Sequence, residues 1–272
     1  PHVMYIDGAD LEKNTIEEVP ADHERAVSKV SCGEKALDEV LIVNPDTFIA
    51  LPEGRVGEVC VRELSVAEGY WKKPEVTRQT FQAYLKDSGE GPYLRTGDLG
   101  YLKAEELYFT GRLKDLIIIR GHNHYPQDIE KTLYEAHEAL TTDGAAAFTV
   151  DAAREERLVI VAEVERTALK DLDADAVMDA IRAIIAREHD IQVYAIALLS
   201  PGRLPRTTSG KTQRRATKFQ FLQEELVTVA SWQLSLEEVT PAADPDGPVA
   251  ANWHSLSLEE RRDSALDFLK KT

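Results

Sequence analysis

The sequence predicts an α+β chain, with small antiparallel β-structure first and a compact two-layer α/β lobe after it. Three observations lead there. Residues 40–43 and 57–62 are short apolar or alternating runs, set apart by the turn sequences Asn44-Pro45-Asp46 and Leu51-Pro52-Glu53-Gly54. Residues 93–130 alternate β-rich runs with charged turns. Beyond residue 145, apolar runs of strand length are interleaved with a stretch, 173–189, in which Val177, Ile181, Ile184 and Ile185 recur at helical spacing.

Taken in order, residues 3–6 are a short apolar piece, followed by a Glu-rich connection with short strands and turns expected at Tyr5-Ile6-Asp7 and Asp10-Leu11-Glu12. Tyr70 and Trp71, after Gly69, read as packing aromatics. Residues 116–119 are β-branched and apolar and read as a buried strand, bracketed by polar turns at Gly97-Asp98, Gly111-Arg112 and Gly121. Pro126 suits the first turn of a helix over about 127–136. Strands follow at 145–150 and 158–164. The helix at 173–189 has Asp173 and Asp175 favouring its amino end. A strand at 194–199, a loop and a helix from about 212 or 213 to 225 complete the lobe.

Composition narrows the function classes. With 272 residues, 43% hydrophobic and 29% charged, the chain can build a sizeable core in one large or two modest domains. A net charge of −16 argues against nonspecific nucleic-acid binding, which needs a broad cationic face. No apolar run approaches the roughly 18 residues of a membrane span. Two cysteines, Cys32 and Cys60, are too few for a disulfide framework, and Cys60, between Val59 and Val61, reads as a small core residue. These features suit a soluble cytoplasmic protein. The chain opens at Pro1 without methionine or a signal-peptide pattern and reads as part of a longer protein. His122, His124 and His189 lack a cysteine partner and fit no zinc spacing, so no metal site is expected; His124 and Tyr125 read as lining a crevice that faces an absent lobe.

Charge marks two candidate site stretches. Asp98, Arg112, Lys114, Asp115 and Arg120 fall at expected strand ends, where charges either line a crevice or face water. Residues 201–218 carry Arg203, Arg206, Lys211, Arg214, Arg215 and Lys218 with no acid, in a chain that is acidic overall. Thr207, Thr208, Ser209 and Gly210 before Lys211 read as a mobile, hydroxyl-rich loop able to present one ammonium to a phosphate. A basic surface loop ahead of a helix accounts for the same residues. Asp98 can accept hydrogen bonds from both hydroxyls of a ribose, or cap its own turn.

Three motifs, Arg95-Thr-Gly-Asp98, Gly111-Arg-Leu-Lys-Asp115 and Pro205-Arg-Thr-Thr-Ser-Gly-Lys211, resemble in order and spacing those of the adenylate-forming superfamily: acyl-CoA synthetases, luciferases and adenylation domains of nonribosomal peptide synthetases. Residues 113–130 and 188–195 are most similar to the fatty acyl-AMP ligases, and the resemblance covers roughly residues 1–233. It implies the adenylate-forming fold: a β-barrel-like subdomain as the distal part of a large domain (1–113), with a loop and helix at 69–81, then a mobile lobe (114–235). It implies ATP and Mg²⁺ as cofactors, a fatty acid as substrate and an acyl carrier protein as acceptor in place of free coenzyme A. The implied roles are Lys211 as the catalytic charge, Asp98 and Arg112 for ATP and AMP, Lys114 and Asp115 as hinge, and Arg120 and Gly121 on the face used for transfer.

The upstream phosphate loop, adenine pocket and acyl tunnel of that superfamily have no counterpart here, and Lys103-Ala-Glu-Glu106 stands where a glycine-containing hairpin turn is usual. An acyl-CoA synthetase, an amino-acid-selecting adenylation domain and a non-enzymatic carrier-docking module are the competing readings. After residue 235 the Pro-, Ala- and Asp-rich stretch 236–254 reads as a linker. Residues 255–272 read as the start of a carrier domain of a polyketide or lipopeptide assembly line, with Ser257 and Glu260 as a capping box.

Overall fold

A computed structural model describes residues 2–34, 40–153 and 155–235; the expected linker and carrier helix lie outside them. Residues 1–234 form one compact unit containing two main sheets. The first sheet has six strands in the order β1-β2-β6-β5-β4-β3: β1 (Val3–Asp7), β2 (Ala26–Glu34), β3 (Val40–Val43), β4 (Gly57–Val61), β5 (Leu94–Lys103) and β6 (Glu106–Arg112). All its pairings are antiparallel, and the barrel-like subdomain takes the form of an open sheet ending at β1 and β3.

Two short helices attach to this sheet. Helix α1 (Gly8–Leu11) replaces the strand and turn expected at Asp10-Leu11-Glu12, because Asp7 caps it by accepting the Ala9 N–H at 2.8 Å. Helix α2 (Pro74–Phe81) follows the Tyr70-Trp71 pair. Tyr70 packs edge-on against Phe81 at 5.2 Å, but Trp71 is 87% exposed and does not pack as the sequence suggested.

Strand β2 carries no apolar alternation, for a physical reason. Its buried positions are Lys29 and Ser31, while Val30 faces solvent. Lys29 lies 5.5 Å over the Tyr125 ring and pairs with Asp128 at 3.3 Å, so a cation does the work of an apolar side chain. Tyr125 itself is buried with Met4, Ile6, Leu11, Tyr101 and Tyr108. It and buried His124 belong to the core and do not line a crevice.

The strand expected at 116–119 is β7 (Ile117–Ile119), and it is not buried as a whole. Only Ile117 is enclosed, and Ile118 is half exposed, because β7 pairs with β8 (His122–His124) alone, in a separate two-stranded hairpin.

The second sheet runs β12-β11-β10-β9, from β9 (Leu140–Ala152), β10 (Glu155–Val164), β11 (Val193–Leu199) and β12 (Thr228–Gln233). Strands β10 and β11 are parallel and joined through α4 (Ala174–His189), as parallel neighbours require a long crossover. Asp173 caps α4 through the Ala176 N–H at 3.0 Å. Helix α3 (Pro126–Leu133) and α4 bury Ile129, Leu133, Val177, Ile181, Ile184 and Ile185 against Ala147, Ile160 and Ile196. Phe148, one residue on and so on the other face of β9, meets Phe221 of α5 (Arg214–Leu222) at 5.8 Å. The edge strand β12 escapes the sequence pattern because its burial is slight throughout.

Burial, with His189 and His122 nearby, lowers the His124 pKa from 6.5 to about 4. Between those pH values the unfolded chain binds the proton and the folded chain does not. Stability is therefore expected to fall as pH drops through 6.5 towards 4. Glu12, 3.5 Å from His124, is shifted upward by burial and acts with the opposite sign. Denaturant unfolding from pH 4 to 7 should show a shallower slope for His124→Gln than for the parent, and equal slopes would contradict the assignment.

Candidate active site

Asp98 lies inside β5, not in a turn, and pairs directly with Arg112 at the end of β6. The Arg112 Nε donates to Asp98 Oδ1 at 3.2 Å, and both side chains remain accessible. The Asp98 carboxylate thus does not cap its own turn. It stands on β5, an interior strand of the sheet, and among the described residues its second oxygen accepts no hydrogen bond. Glu58, buried on β4, supports this strand: it accepts from Arg95 Nε at 2.9 Å and from the Gly97 N–H at 3.1 Å. Thr96 Oγ donates to the Val59 carbonyl at 2.7 Å and accepts the Asp98 N–H at 3.0 Å.

Lys114 and Asp115 sit in a single 3-10 turn, Leu113–Asp115, between β6 and β7. Arg214 Nη1 approaches Asp115 at 3.6 Å, and its other nitrogens grip buried Glu130 with two bonds of 2.6 Å. Glu130 also accepts the Ala147 N–H at 3.0 Å. Burial pushes the Glu130 carboxyl upward while Arg214 opposes it, and the Glu130 bonds raise the Arg214 pKa. A small pocket of about 70 Å³ opens here, lined by Lys114, Asp115, Ile117, Phe148, Arg214 and Lys218 among others. Arg120 and Gly121 form the tip of the β7–β8 hairpin, both in the left-handed region at φ 52° and 80°.

The loop bearing Lys211 is not the loose segment its composition suggests. Thr207 N–H donates to the Lys211 carbonyl at 2.8 Å, the Lys211 N–H returns to Thr207 Oγ at 3.0 Å, and Gly210, at φ 84°, closes the turn onto Thr207. Lys211 is exposed, and among the described residues no acid pairs with its ammonium. The chain therefore brings Asp98 and Arg112 together, and ties Arg214 to Asp115, while Lys211 is presented on a separate loop and makes no contact with Asp98 or Arg112.

The Disco-interacting protein 2-like AMP domain family matches residues 114–231. The medium-chain-fatty-acid–[acyl-carrier-protein] ligase JamA of Moorena producens is 48% identical over 227 residues, covering 82% of this chain and 38% of JamA. Over about four-fifths of its length the chain is thus similar to fatty-acid ligases of the AMP-forming kind. The long-chain-fatty-acid–AMP ligase FadD32 of Mycolicibacterium smegmatis is 37% identical over 257 residues, covering 83% of this chain and 41% of FadD32. A structure of fatty acyl-adenylate ligases from E. coli and L. pneumophila superposes with a TM-score of 0.67 at 30% identity, covering 82% of this chain and 38% of that one. The chain spans about two-fifths of the length of these ligases.

Sequence reasoning missed the buried acids that hold the motifs: Glu58, Glu130 and Glu163. A signal exists for two of them. Glu58 and Glu163 are single acids within otherwise apolar strand runs, and a lone acid there needs a buried partner.

Proposed function

We propose that this chain is part of a fatty acyl-AMP ligase that activates a fatty acid with Mg·ATP and passes the acyl group to the phosphopantetheine thiol of an acyl carrier protein. The observation that carries the reading is an accessible carboxylate–guanidinium pair, Asp98–Arg112, in the same chain as an ammonium, Lys211, on a braced loop and with no acid paired to it among the described residues. In the first step a carboxylate oxygen attacks the α-phosphorus, the bond to the β-phosphate oxygen breaks, and pyrophosphate leaves. Negative charge gathers at phosphorus, and Lys211 is the group to offset it. Asp98 would hold the ribose hydroxyls and Arg112 the ribose or phosphates. Mg²⁺ would enter with ATP and offset phosphate charge; among the described residues no group of three His, Cys, Asp or Glu side chains is placed to hold a metal.

In the second step the thiol loses its proton and attacks the acyl carbonyl carbon, and AMP departs. We place the hinge between the lobes 1–113 and 114–235 at Lys114 and Asp115, so that rotation withdraws Lys211 and brings the Arg120-Gly121 tip to the adenylate. JamA's name, an acyl-carrier-protein ligase, supports the acceptor. No helix among the described residues is long and apolar enough to cross a membrane, in keeping with a cytoplasmic enzyme.

The test is to supply the full-length protein with Mg·ATP and fatty acids, with and without coenzyme A and a phosphopantetheinylated carrier, and to identify products by mass spectrometry. Acyl-AMP formed without acyl-CoA, and acyl-carrier formed when carrier is present, is expected. Efficient acyl-CoA formation would reassign the acceptor; no acyl-AMP would leave the docking-module reading.

Two substitutions separate the roles. Asp98→Ala should raise the KM for ATP on the order of tenfold or more, as expected when a charged hydrogen-bond acceptor is lost. An unchanged KM would remove Asp98 from the nucleotide site. Lys114→Pro fixes one hinge dihedral and should spare acyl-AMP formation while slowing transfer to the carrier. Equal loss in both steps would contradict the hinge assignment.

A further inference from the structure

We propose that Glu163 is the positioning residue of the lysine loop, acting through Arg206 and the Leu204 backbone to set where Lys211 stands. This inference rests on the reading of Lys211 given above.

Glu163 sits on β10 where the pairing with β9 slips: Ala162 faces Ala145, but Val164 faces Leu140. A bulge of this kind re-aims a side chain out of the alternating pattern. The Glu163 carboxylate is buried, with 3% of its side chain exposed. Both its oxygens are directed at the loop. Oε1 accepts the Leu204 N–H at 2.7 Å, and Oε2 lies 3.4 Å from Arg206 Nη2.

Arg206 then distributes the constraint. Its Nη2 also donates to the Asp143 carbonyl at 2.7 Å, on the opposite side of the same bulge, and its Nη1 donates to the Gly210 carbonyl at 3.1 Å. Asp143 is itself held in the left-handed region at φ 57°, and its side chain accepts from Tyr134 OH at 3.0 Å. Gln213 closes the far side, its side chain donating to the Arg206 carbonyl at 2.9 Å and its N–H to the Pro205 carbonyl at 2.8 Å. The residue immediately before Lys211 is thus fixed, through one guanidinium, to a carboxylate inside the sheet. A buried carboxylate left without its cation is costly, so the pair resists opening. The rigid sheet becomes the reference frame for a side chain that must stand at a developing charge, where small misplacement costs rate.

The glutamine variant dissects this. In Glu163→Gln the amide oxygen can still accept the Leu204 N–H, but its NH₂ meets the Arg206 guanidinium, donor against donor. Two measurements test the proposal. Amide hydrogen exchange on this 272-residue chain is expected to show faster exchange at Gly210 and Lys211 in Glu163→Gln and in Arg206→Ala, with β11 protected as in the parent. In the full-length protein, Glu163→Gln should lower kcat for acyl-AMP formation on the order of tenfold, with KM for ATP changed far less. In a Lys211→Ala background the same change should have almost no further effect, because the loop no longer delivers a charge.

Unaltered exchange in the loop, or a kcat loss that adds in full to that of Lys211→Ala, overturns the proposal. If Lys211→Ala itself leaves acyl-AMP formation intact, the catalytic reading of Lys211 fails, and the exchange data alone decide whether Glu163 anchors the loop. Arg206→Lys, which keeps the charge but not the fork, should recover only part of the protection.

Discussion

Replacing Lys211 with alanine in the full-length protein is expected to lower acyl-AMP formation by a hundredfold or more, about 2.7 kcal/mol of transition-state stabilisation. The expectation follows from how the residue is held. Its backbone is locked at both ends to Thr207, and its ammonium is exposed and unpaired among the described residues. A lysine that served only solubility would need no such bracing. Nucleotide binding should survive the change, since Asp98 and Arg112 lie on β5 and β6, away from the Lys211 loop. Lys211→Arg should recover little, because a planar fork on a different stem does not reproduce a compact point charge. Pyrophosphate release with saturating fatty acid and ATP measures the effect directly, and a rate within a few-fold of the parent would remove Lys211 from the reaction.

The largest expected effect on stability is at Arg214. Its guanidinium makes two bonds of 2.6 Å to Glu130, whose side chain is 8% exposed, and reaches Asp115 at 3.6 Å. Alanine would leave the Glu130 carboxylate buried with only the Ala147 N–H for company. Breaking a buried pair from one side costs about 3–5 kcal/mol, so Arg214→Ala should lose about 3 kcal/mol in denaturant unfolding of this chain. Without Arg214, burial raises the Glu130 pKa further, so the loss should shrink as pH falls and Glu130 takes up a proton. Glu130→Gln in the Arg214→Ala background should recover part of the loss by removing the stranded charge. A cost below about 1 kcal/mol, the level of an exposed ion pair, would show that the pair is solvated.

Much of the α/β lobe was legible residue by residue. The stripe Val177, Ile181, Ile184 and Ile185 became the buried face of α4, and Asp173 its cap. The runs at 145–150, 158–164 and 194–199 became β9, β10 and β11 of the second sheet. These succeed because burial on one face imposes a period the sequence must carry. Reading failed where that condition lapses. Strand β2 buries Lys29 and Ser31, β12 is an edge with little burial, and β7, paired only with β8, buries Ile117 but leaves Ile118 half exposed. The hairpin between β5 and β6 turns at Ala104 and Glu105 with φ of 50° and 64°, a geometry usually given to glycine or asparagine.

By itself, the sequence determined the likeness to fatty acyl-AMP ligases, the placing of β9, β10, α4 and β11, and the charged residues of the three motifs. Motif spacing and periodicity are local properties, and local physics reads them. Only the tertiary structure decided how those charges are held. Glu58 reaches Arg95 across 37 residues, Glu163 reaches Arg206 across 43, and Glu130 reaches Arg214 across 84. Each of these acids is buried where solvation is lost, and each recovers it from one arginine brought near by the fold. No local pattern encodes such a pairing, because the partner is chosen by strand register and helix packing.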